Sequence, residues 1–435
     1  MLRCLSFLHK LNGNYKKTVV FRRNFTSNVE QLVSNLSSRG LIANTTTKAD
    51  VLDHFLKISR TLYCGIDPTA GSLHVGNLVP LLNLIHFQLA GHQSIALLGG
   101  ATGLIGDPSG RNEERPLQAQ DIIQQHSTSI GRQLESVFGN IMAYASRKMY
   151  LDKPILPIKI MNNLDWWHSV SLVNFLQTTG KHMKIAPMLS RERFDAIKLQ
   201  SVDAHLLTSV KSRMSSANGI SFAEFSYQLL QAYDFWHLYK YHSCQIQVGG
   251  SDQWGNIVSG LDLILKREVE IPLEGKAYGI TTPLLTTSSG QKFGKSAGNA
   301  IWLDSRKTSV FDFYQFFWRT TDADVRKYLN VFTLLSREDI ENIIKDHKAH
   351  PERRFAQRIL AREATDMIHG EIGLAQAEAA TRLLFDTHLD DIRLEDAAKA
   401  LENDPRYHSF SESDLINIPL SKLASLSGLV QSRGK

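Results

Sequence analysis

Between residues 61 and 98 a short strand, a turn, a helix and a second strand follow one another, and that succession constrains the fold of this 435-residue chain most strongly. Thr61-Leu62-Tyr63-Cys64-Gly65 reads as a strand, Asp67-Pro68-Thr69-Ala70-Gly71-Ser72 as a turn, His74 to Leu89 as a helix, and Ser94–Leu98 as a buried strand. Two strands joined by a helical crossover lie parallel in one sheet, so the unit predicts an α/β nucleotide-binding core. The pattern recurs: Cys244–Val248 is strand-like, Gly249-Gly250-Ser251 a turn, and Asp252 to Leu265 a helix. Residues 30–60 carry a helical period, and 99–243 read as mostly helical inserted material. A polar loop with glycines surrounds Pro283–Asn299, and the periodic runs beyond Val310 are helical.

Charge separates the front end from the rest. Residues 1–29 hold six of the 49 basic residues (Arg3, Lys10, Lys16, Lys17, Arg22 and Arg23) and no acid, leaving 43 bases against 43 acids downstream. A basic, acid-poor leader has the composition of a mitochondrial or plastid transit peptide, the former leading to the matrix, or else of a basic arm that touches RNA. Three cysteines cannot build a disulfide framework, which agrees with a reducing compartment. No apolar run of eighteen residues occurs, so no membrane partner is expected.

Three constellations carry chemistry. In His74-Val75-Gly76-Asn77, His74 and Asn77 lie three apart at a helix start, where N–H groups and the dipole favour phosphate. Gly76 would let a flat base approach the backbone, and Thr69 adds a hydroxyl. The same tetrapeptide also reads as a helix cap with a core histidine. In GQKFGKS, Lys292 and Lys295 sit in a glycine-bracketed loop able to close over a polyphosphate, although the spacing is not that of a P-loop. In SYQLLQAYDF, Tyr227, Gln231 and Asp234 fall at i, i+4 and i+7, so one helix face bears a hydroxyl, an amide and a carboxylate that a polar ligand would satisfy. Asp107 follows a glycine-rich strand end.

Taken in order, YCGIDPTAGSLHVGN, GGATGLIGDPSGR, FSYQLLQAYDF, VGGSDQWGN and KFGKS resemble the class I aminoacyl-tRNA synthetases, most closely the tyrosyl type of bacteria and mitochondria. His74–Asn77 is similar to the HIGH signature of that family, with asparagine in the fourth place, and Lys292–Ser296 to its KMSKS loop. The resemblance implies a Rossmann-like catalytic domain with a helical, dimerising insertion at 30-285 and a mobile loop at 286-309. It further implies an all-helical anticodon-side domain at 310-383, then a linker and the start of an S4-like region at 384-435. The last stretch resembles only the opening of that RNA-binding module, with weakened tRNA binding as the expectation.

The implied activity is ATP-dependent activation of L-tyrosine to tyrosyl-adenylate, then transfer to mitochondrial tRNA(Tyr) by a homodimer. Tyr63 and Asp234 match the pair that reads the tyrosine hydroxyl. Asp107, Tyr227 and Gln231 match groups for the ammonium, Gln253 a neighbour of the carboxyl group, and Asp67 a residue beside the ammonium and ribose. Thr69, His74 and Asn77 correspond to ATP and transition-state contacts, Gly65, Gly76, Gly250 and Asp252 to the adenylate surroundings, and Lys292, Lys295 and Ser296 to the mobile loop. Arg111 and Arg115 match a basic rim near the pyrophosphate or tRNA end. Arg191, Arg193, Lys198, Lys211 and Arg213 are tRNA candidates, and Trp166, Trp167 and Phe222 dimer candidates. Mg2+ would travel on the nucleotide, with no protein-bound metal. A donor–acceptor pair for a phenol hydroxyl should reject phenylalanine, and enzymes of this type are known to do so by roughly 10^5 without editing. The Tyr63/Asp234 pair argues against the tryptophanyl sibling. A group I intron splicing factor on the same fold is the alternative from another class, and the balanced charge downstream of residue 29 gives it no support.

Overall fold

The computed structural model describes residues 23–24, 31–109, 118–150, 155–185, 188, 219–268, 270–272, 275–290, 293–296, 299–386, 393–402, 407–428 and 430. Most of the basic leader and its cleavage region, Arg111, Arg115, Arg191, Arg193, Lys198, Lys211, Arg213 and Lys292 lie outside the described residues.

Six strands form the central sheet: β1 (Asn44–Thr45), β2 (Thr61–Ile66), β3 (Gln93–Leu98), β4 (Lys159–Asn162), β5 (Cys244–Gly250) and β6 (Tyr278–Thr282). Their order is β1-β6-β5-β2-β3-β4, parallel throughout except for antiparallel β1. The period of two along each strand sends Leu62, Cys64, Ala96 and Leu98 into one core and Tyr63, Ile95 and Leu97 into the other. Helix α1 (Leu78–Leu89) has eleven buried residues of twelve, as a crossover wedged between sheet and domain must. The chain leaves β2 for β3 on one side while β5 pairs on the other. The crevice outside their carboxyl ends is where such sheets bind ligands.

Two expectations need correction. Residues 30–60 are not one helical region: the helices Leu32–Ser38 and Ala49–Phe55 are separated by β1, after Gly40 turns the chain at φ +76°. The segment 99–243 does contain the long helix α2 (Gln120–Lys148) and α3 (Phe222–His242), but β4 belongs to the main sheet. Four residues on an edge, half-exposed and without an apolar run, give too little periodicity to be read as a strand.

From Val310 onward the described residues are helical in their regular structure, beginning with α4 (Val310–Trp318), α5 (Asp322–Phe332), α6 (Arg337–Ala349) and α7 (Phe355–Phe385). Ser309 and Ser336 cap α4 and α6 by accepting from the Asp312 and Asp339 amides, at 3.0 Å each. Helix α7 breaks at Gly370 (φ 73°, ψ 179°), and Asn140 of α2 donates to the Ile368 carbonyl at 2.7 Å beside the break. Buried Asp366 accepts from both Arg147 and Lys148, fastening α7 to α2. Among the described residues, no helix is long and apolar enough to cross a membrane.

Arg39 ties the first helical segment to this domain. Its guanidinium, 7% exposed, donates to the Leu335 carbonyl at 2.9 Å and to that of Thr333. Arg39→Ala leaves two buried carbonyls unmet, and a loss of about 3 kcal/mol is expected from the size of charge-assisted bonds. A drop in the urea midpoint with an unchanged m-value is the measurement; an unmoved midpoint would contradict it.

Candidate active site

A cavity of about 420 Å³ opens at the carboxyl ends of β2 and β5. From β2 and its turn come Tyr63, Gly65, Asp67 and Thr69; His74, Gly76 and Asn77 stand at the entry to α1; and Asp107 follows the β3 crossover. Tyr227, Gln231 and Asp234 reach in from one face of α3, and Gly250, Asp252 and Gln253 from the end of β5. All fourteen of these sequence-predicted residues line the one cavity.

His74 and Asn77 close a reciprocal cap. The Gly76 amide donates to His74 Nδ1 at 3.0 Å, and the His74 amide to Asn77 Oδ1 at 3.0 Å. An accepting Nδ1 places the proton of a neutral imidazole on Nε2, so that nitrogen is a donor. Asn77, its oxygen engaged, keeps an NH2 donor. The cap and the site are thus one structure. Gly76 also makes room for the ring: a Cβ there would stand 2.8 Å from His74 Cε1, so the imidazole would have to shift.

The predicted loop packs directly on this motif. Trp302 bridges antiparallel to His74, Val75 N–H donates to the Ile301 carbonyl at 2.9 Å, and Leu303 N–H to that of Leu73 at 2.8 Å. Gly294 (φ +89°) lies so close that a Cβ would sit 2.9 Å from Val75 Cγ2. Residues 295–296 and 299–300 pair as a short hairpin that includes Lys295 and Ser296. Phe293 is buried against Phe316, Phe332 and Tyr328, with ring centres 4.7–5.3 Å apart, and so anchors the loop to the helical domain.

Deeper in, the polar groups form a chain. Tyr227 donates to Asp67 Oδ2 at 2.7 Å, Thr102 donates to Asp67 Oδ1 at 2.8 Å, and Asn163 donates to Thr102 Oγ1 at 3.1 Å and to Asp234 Oδ2 at 2.9 Å. The indoles of Trp166 and Trp167 both donate to Asp234 Oδ1, each at 2.8 Å. At the rim, Gln253 donates to Asp107 Oδ2 at 2.7 Å and to Asp252 Oδ2 at 3.1 Å, and Asn256 donates to Gln231 Oε1 at 3.1 Å.

Burial dominates the electrostatics. It pushes the Asp234 carboxyl up to about 7, against the pull of Asn163, Trp166 and Trp167, with nearby Asp67 adding to the rise. Burial, then the Asp234 charge, hold the Tyr63 phenol well above its ordinary range. Tyr227 is raised by burial and then by Asp67 and Asp107. Both phenols therefore stay protonated donors. Cys64, also on the wall, is pushed up to about 12 by burial and remains a thiol. Among the described residues lining the cavity there is no lysine or arginine, while Asp67, Asp107, Asp234 and Asp252 are present. Such a field favours an ammonium group.

The Tyr63 hydroxyl is buried, 1% exposed as a residue, and has no hydrogen-bond partner among the described residues. It shares the cavity with Asp234, whose three donors leave one of roughly four acceptor positions for a ligand.

Trp166 and Trp167, dimer candidates by the resemblance, turn their N–H groups inward onto Asp234, and Trp166 is 7% exposed within the single chain. A buried carboxylate needs donors, and these two supply them. Phe222, in contrast, is 76% exposed. Sequence reasoning missed Thr102, Asn163 and Asn256, which serve other side chains; the signal was present for Asn163, a polar residue at the carboxyl end of a strand that was not recognised.

Residues 58–386 match the family model described as tRNA synthetases class I (W and Y). The chain is 43% identical over 365 residues to the mitochondrial tyrosine--tRNA ligase of Saccharomyces cerevisiae, covering 82% of this chain and 70% of that protein. It is 44% identical over 340 residues to the mitochondrial tyrosine--tRNA ligase of Drosophila melanogaster, covering 78% and 68%. The crystal structure of a C-terminally truncated mitochondrial tyrosyl-tRNA synthetase from Aspergillus nidulans superposes with a TM-score of 0.71 at 35% identity, over 82% of this chain and 94% of the other.

Proposed function

This chain belongs to the class I tRNA synthetases of the tryptophan and tyrosine type, and from that premise we infer that it is a mitochondrial enzyme that activates L-tyrosine with ATP and transfers it to tRNA(Tyr). The observation that carries the choice of amino acid is the buried Tyr63 hydroxyl beside the Asp234 carboxylate. A phenol hydroxyl entering there donates to Asp234 and accepts from Tyr63. An indole N–H can donate to Asp234 but gives the Tyr63 O–H no acceptor, and a phenyl ring leaves both groups unmet.

Asp107, Tyr227 and Gln231 then take the ammonium, and Gln253 the carboxyl end. ATP lies across Gly65, Gly250 and Asp252, with Asp252 toward the ribose and its phosphates over the His74–Asn77 cap. The α-carboxylate attacks the α-phosphorus in line and pyrophosphate leaves; no side chain becomes a nucleophile. His74 Nε2–H, the Asn77 amide and Thr69 are placed to donate to phosphate oxygens as charge develops, while Lys292, Lys295 and Ser296 close from the hairpin. Magnesium rides on the nucleotide and offsets its charge. Arg111 and Arg115 near the phosphate and tRNA end, the basic residues between 191 and 213, the helices of 310–383 as the anticodon side, and a homodimer through Phe222 complete the proposal. The first 29 residues are assigned to import.

Proton linkage tests the pocket directly. The substrate hydroxyl donates to ionised Asp234 and so favours the charged form, lowering a pKa that stands at about 7 in the free protein. Between the bound and free values tyrosine binding releases up to one proton and tightens as pH rises, levelling off above about 7. Titration calorimetry in buffers of different ionisation enthalpy from about pH 5.5 to 8 measures this. Phenylalanine should show no such release, and equal release for both amino acids would contradict the assignment.

A further inference from the structure

Asp234 is held in an unusual way for a group that must read one hydroxyl. The short helix Leu164–Trp167 starts at the carboxyl end of β4, where Asn163 N–H donates to the Leu98 carbonyl at 2.9 Å and Leu164 N–H to Asn162 Oδ1 at 3.0 Å. That anchoring lets two consecutive indoles converge on one oxygen. Trp166 is fixed by stacking on His237, with ring centres 4.3 Å apart and planes at 18°. Trp167 is fixed from another side, edge-on to Phe175 at 5.3 Å and tilted against Tyr233 at 4.8 Å. Each indole N–H has a single donor and no acceptor.

An ionised carboxylate has about four acceptor positions, two on each oxygen. The two indoles occupy both on Oδ1, and Asn163 occupies one on Oδ2. One remains, on Oδ2. We propose that Trp167 is a positioning and specificity-determining residue: by saturating Oδ1 it restricts Asp234 to a single substrate donor and so selects a ring with one hydroxyl over a catechol. A 3,4-dihydroxyphenyl side chain brings a second donor to this end of the pocket, where Asp234 has no second position to offer it. Without the Trp167 N–H one position on Oδ1 opens, and the carboxylate also loses a bond that orients it. The inference rests on tyrosine being the substrate.

The test uses ATP–pyrophosphate exchange on the full chain with L-tyrosine and L-3,4-dihydroxyphenylalanine. Trp167→Phe removes the N–H but also part of the ring. A second variant therefore carries 3-benzothienylalanine at position 167, which keeps the bicyclic shape and puts a slightly larger, non-donating sulfur in place of the N–H. In both variants the kcat/KM ratio of the catechol to tyrosine is expected to rise about tenfold, the size of one charge-assisted hydrogen bond. The tyrosine loss should fall on KM and spare kcat, because the bond is made equally in ground and transition states. An unchanged ratio in the benzothienyl variant overturns the proposal, including the case in which Trp167→Phe alone shifts it, since that outcome reports packing. Failure of the unsubstituted protein to exchange with tyrosine would instead overturn the substrate assignment.

Discussion

Asp234→Asn is expected to reduce tyrosine-dependent ATP–pyrophosphate exchange by about 10^3-fold or more while leaving the fold intact. The reason is donor–acceptor bookkeeping in a site closed to water. The residue is 2% exposed and receives three donors. Asparagine has one oxygen. If that oxygen keeps the two indoles, its NH2 faces the Asn163 NH2, donor against donor, and the substrate hydroxyl can accept from it only by turning its own proton onto Tyr63, whose O–H then has no acceptor. If it turns to the substrate instead, the two indoles lose their acceptor. Either way at least two buried groups go unmet, at about 1–3 kcal/mol each; a total near 4 kcal/mol corresponds to roughly a thousandfold. Circular dichroism should be unchanged. Exchange within about tenfold of the parent would show that the carboxylate is not what reads the substrate.

Gly99→Ala should lower kcat/KM for tyrosine by about a hundredfold through a residue that offers the ligand no functional group. A Cβ at Gly99 would lie 2.0 Å from Asp67 Oδ1 and 2.4 Å from Thr102 Oγ1, which are themselves hydrogen-bonded at 2.8 Å. The backbone cannot easily yield, because Gly99 N–H donates to the Ile66 carbonyl at 2.9 Å at the end of paired strands. Asp67 must therefore swing away. Tyr227 then loses the acceptor for its hydroxyl, and the chain through Thr102 and Asn163 to Asp234 is cut. Steady-state exchange kinetics against tyrosine concentration check this; near-parental kcat/KM would mean that Asp67 has room the geometry does not show.

The strand–turn–helix–strand unit and the polar face of α3 were legible because their signals are local, whereas Tyr63, Asp67, Asp252 and Gln253 were named only through the resemblance to the synthetases. A turn rich in glycine, proline and aspartate after an apolar run marks a strand end, and i, i+4, i+7 spacing marks a helix face. Tyr227, Gln231 and Asp234 accordingly sit where their spacing put them. What escaped was set by partners distant in sequence. β4 is a four-residue edge strand whose identity comes from pairing with β3. The indoles of Trp166 and Trp167 read as apolar surface until α3 brings Asp234 to them, 67–68 residues away. Thr102 and Asn163 hold other side chains, and no spacing rule records that. At Gly76, whose position was read as room for a nucleotide base, the structure adds a second constraint that no spacing rule records, the His74 ring.

The central claim is that the Tyr63–Asp234 end of the pocket reads a phenol hydroxyl and thereby makes the chain a tyrosine-activating enzyme. ATP–pyrophosphate exchange with tyrosine, phenylalanine and tryptophan, run side by side on the parent protein and Asp234→Asn, tests it most directly. Exchange with tyrosine alone, lost in the variant, is the predicted result. Comparable exchange with phenylalanine, or tyrosine exchange that survives Asp234→Asn, would contradict it.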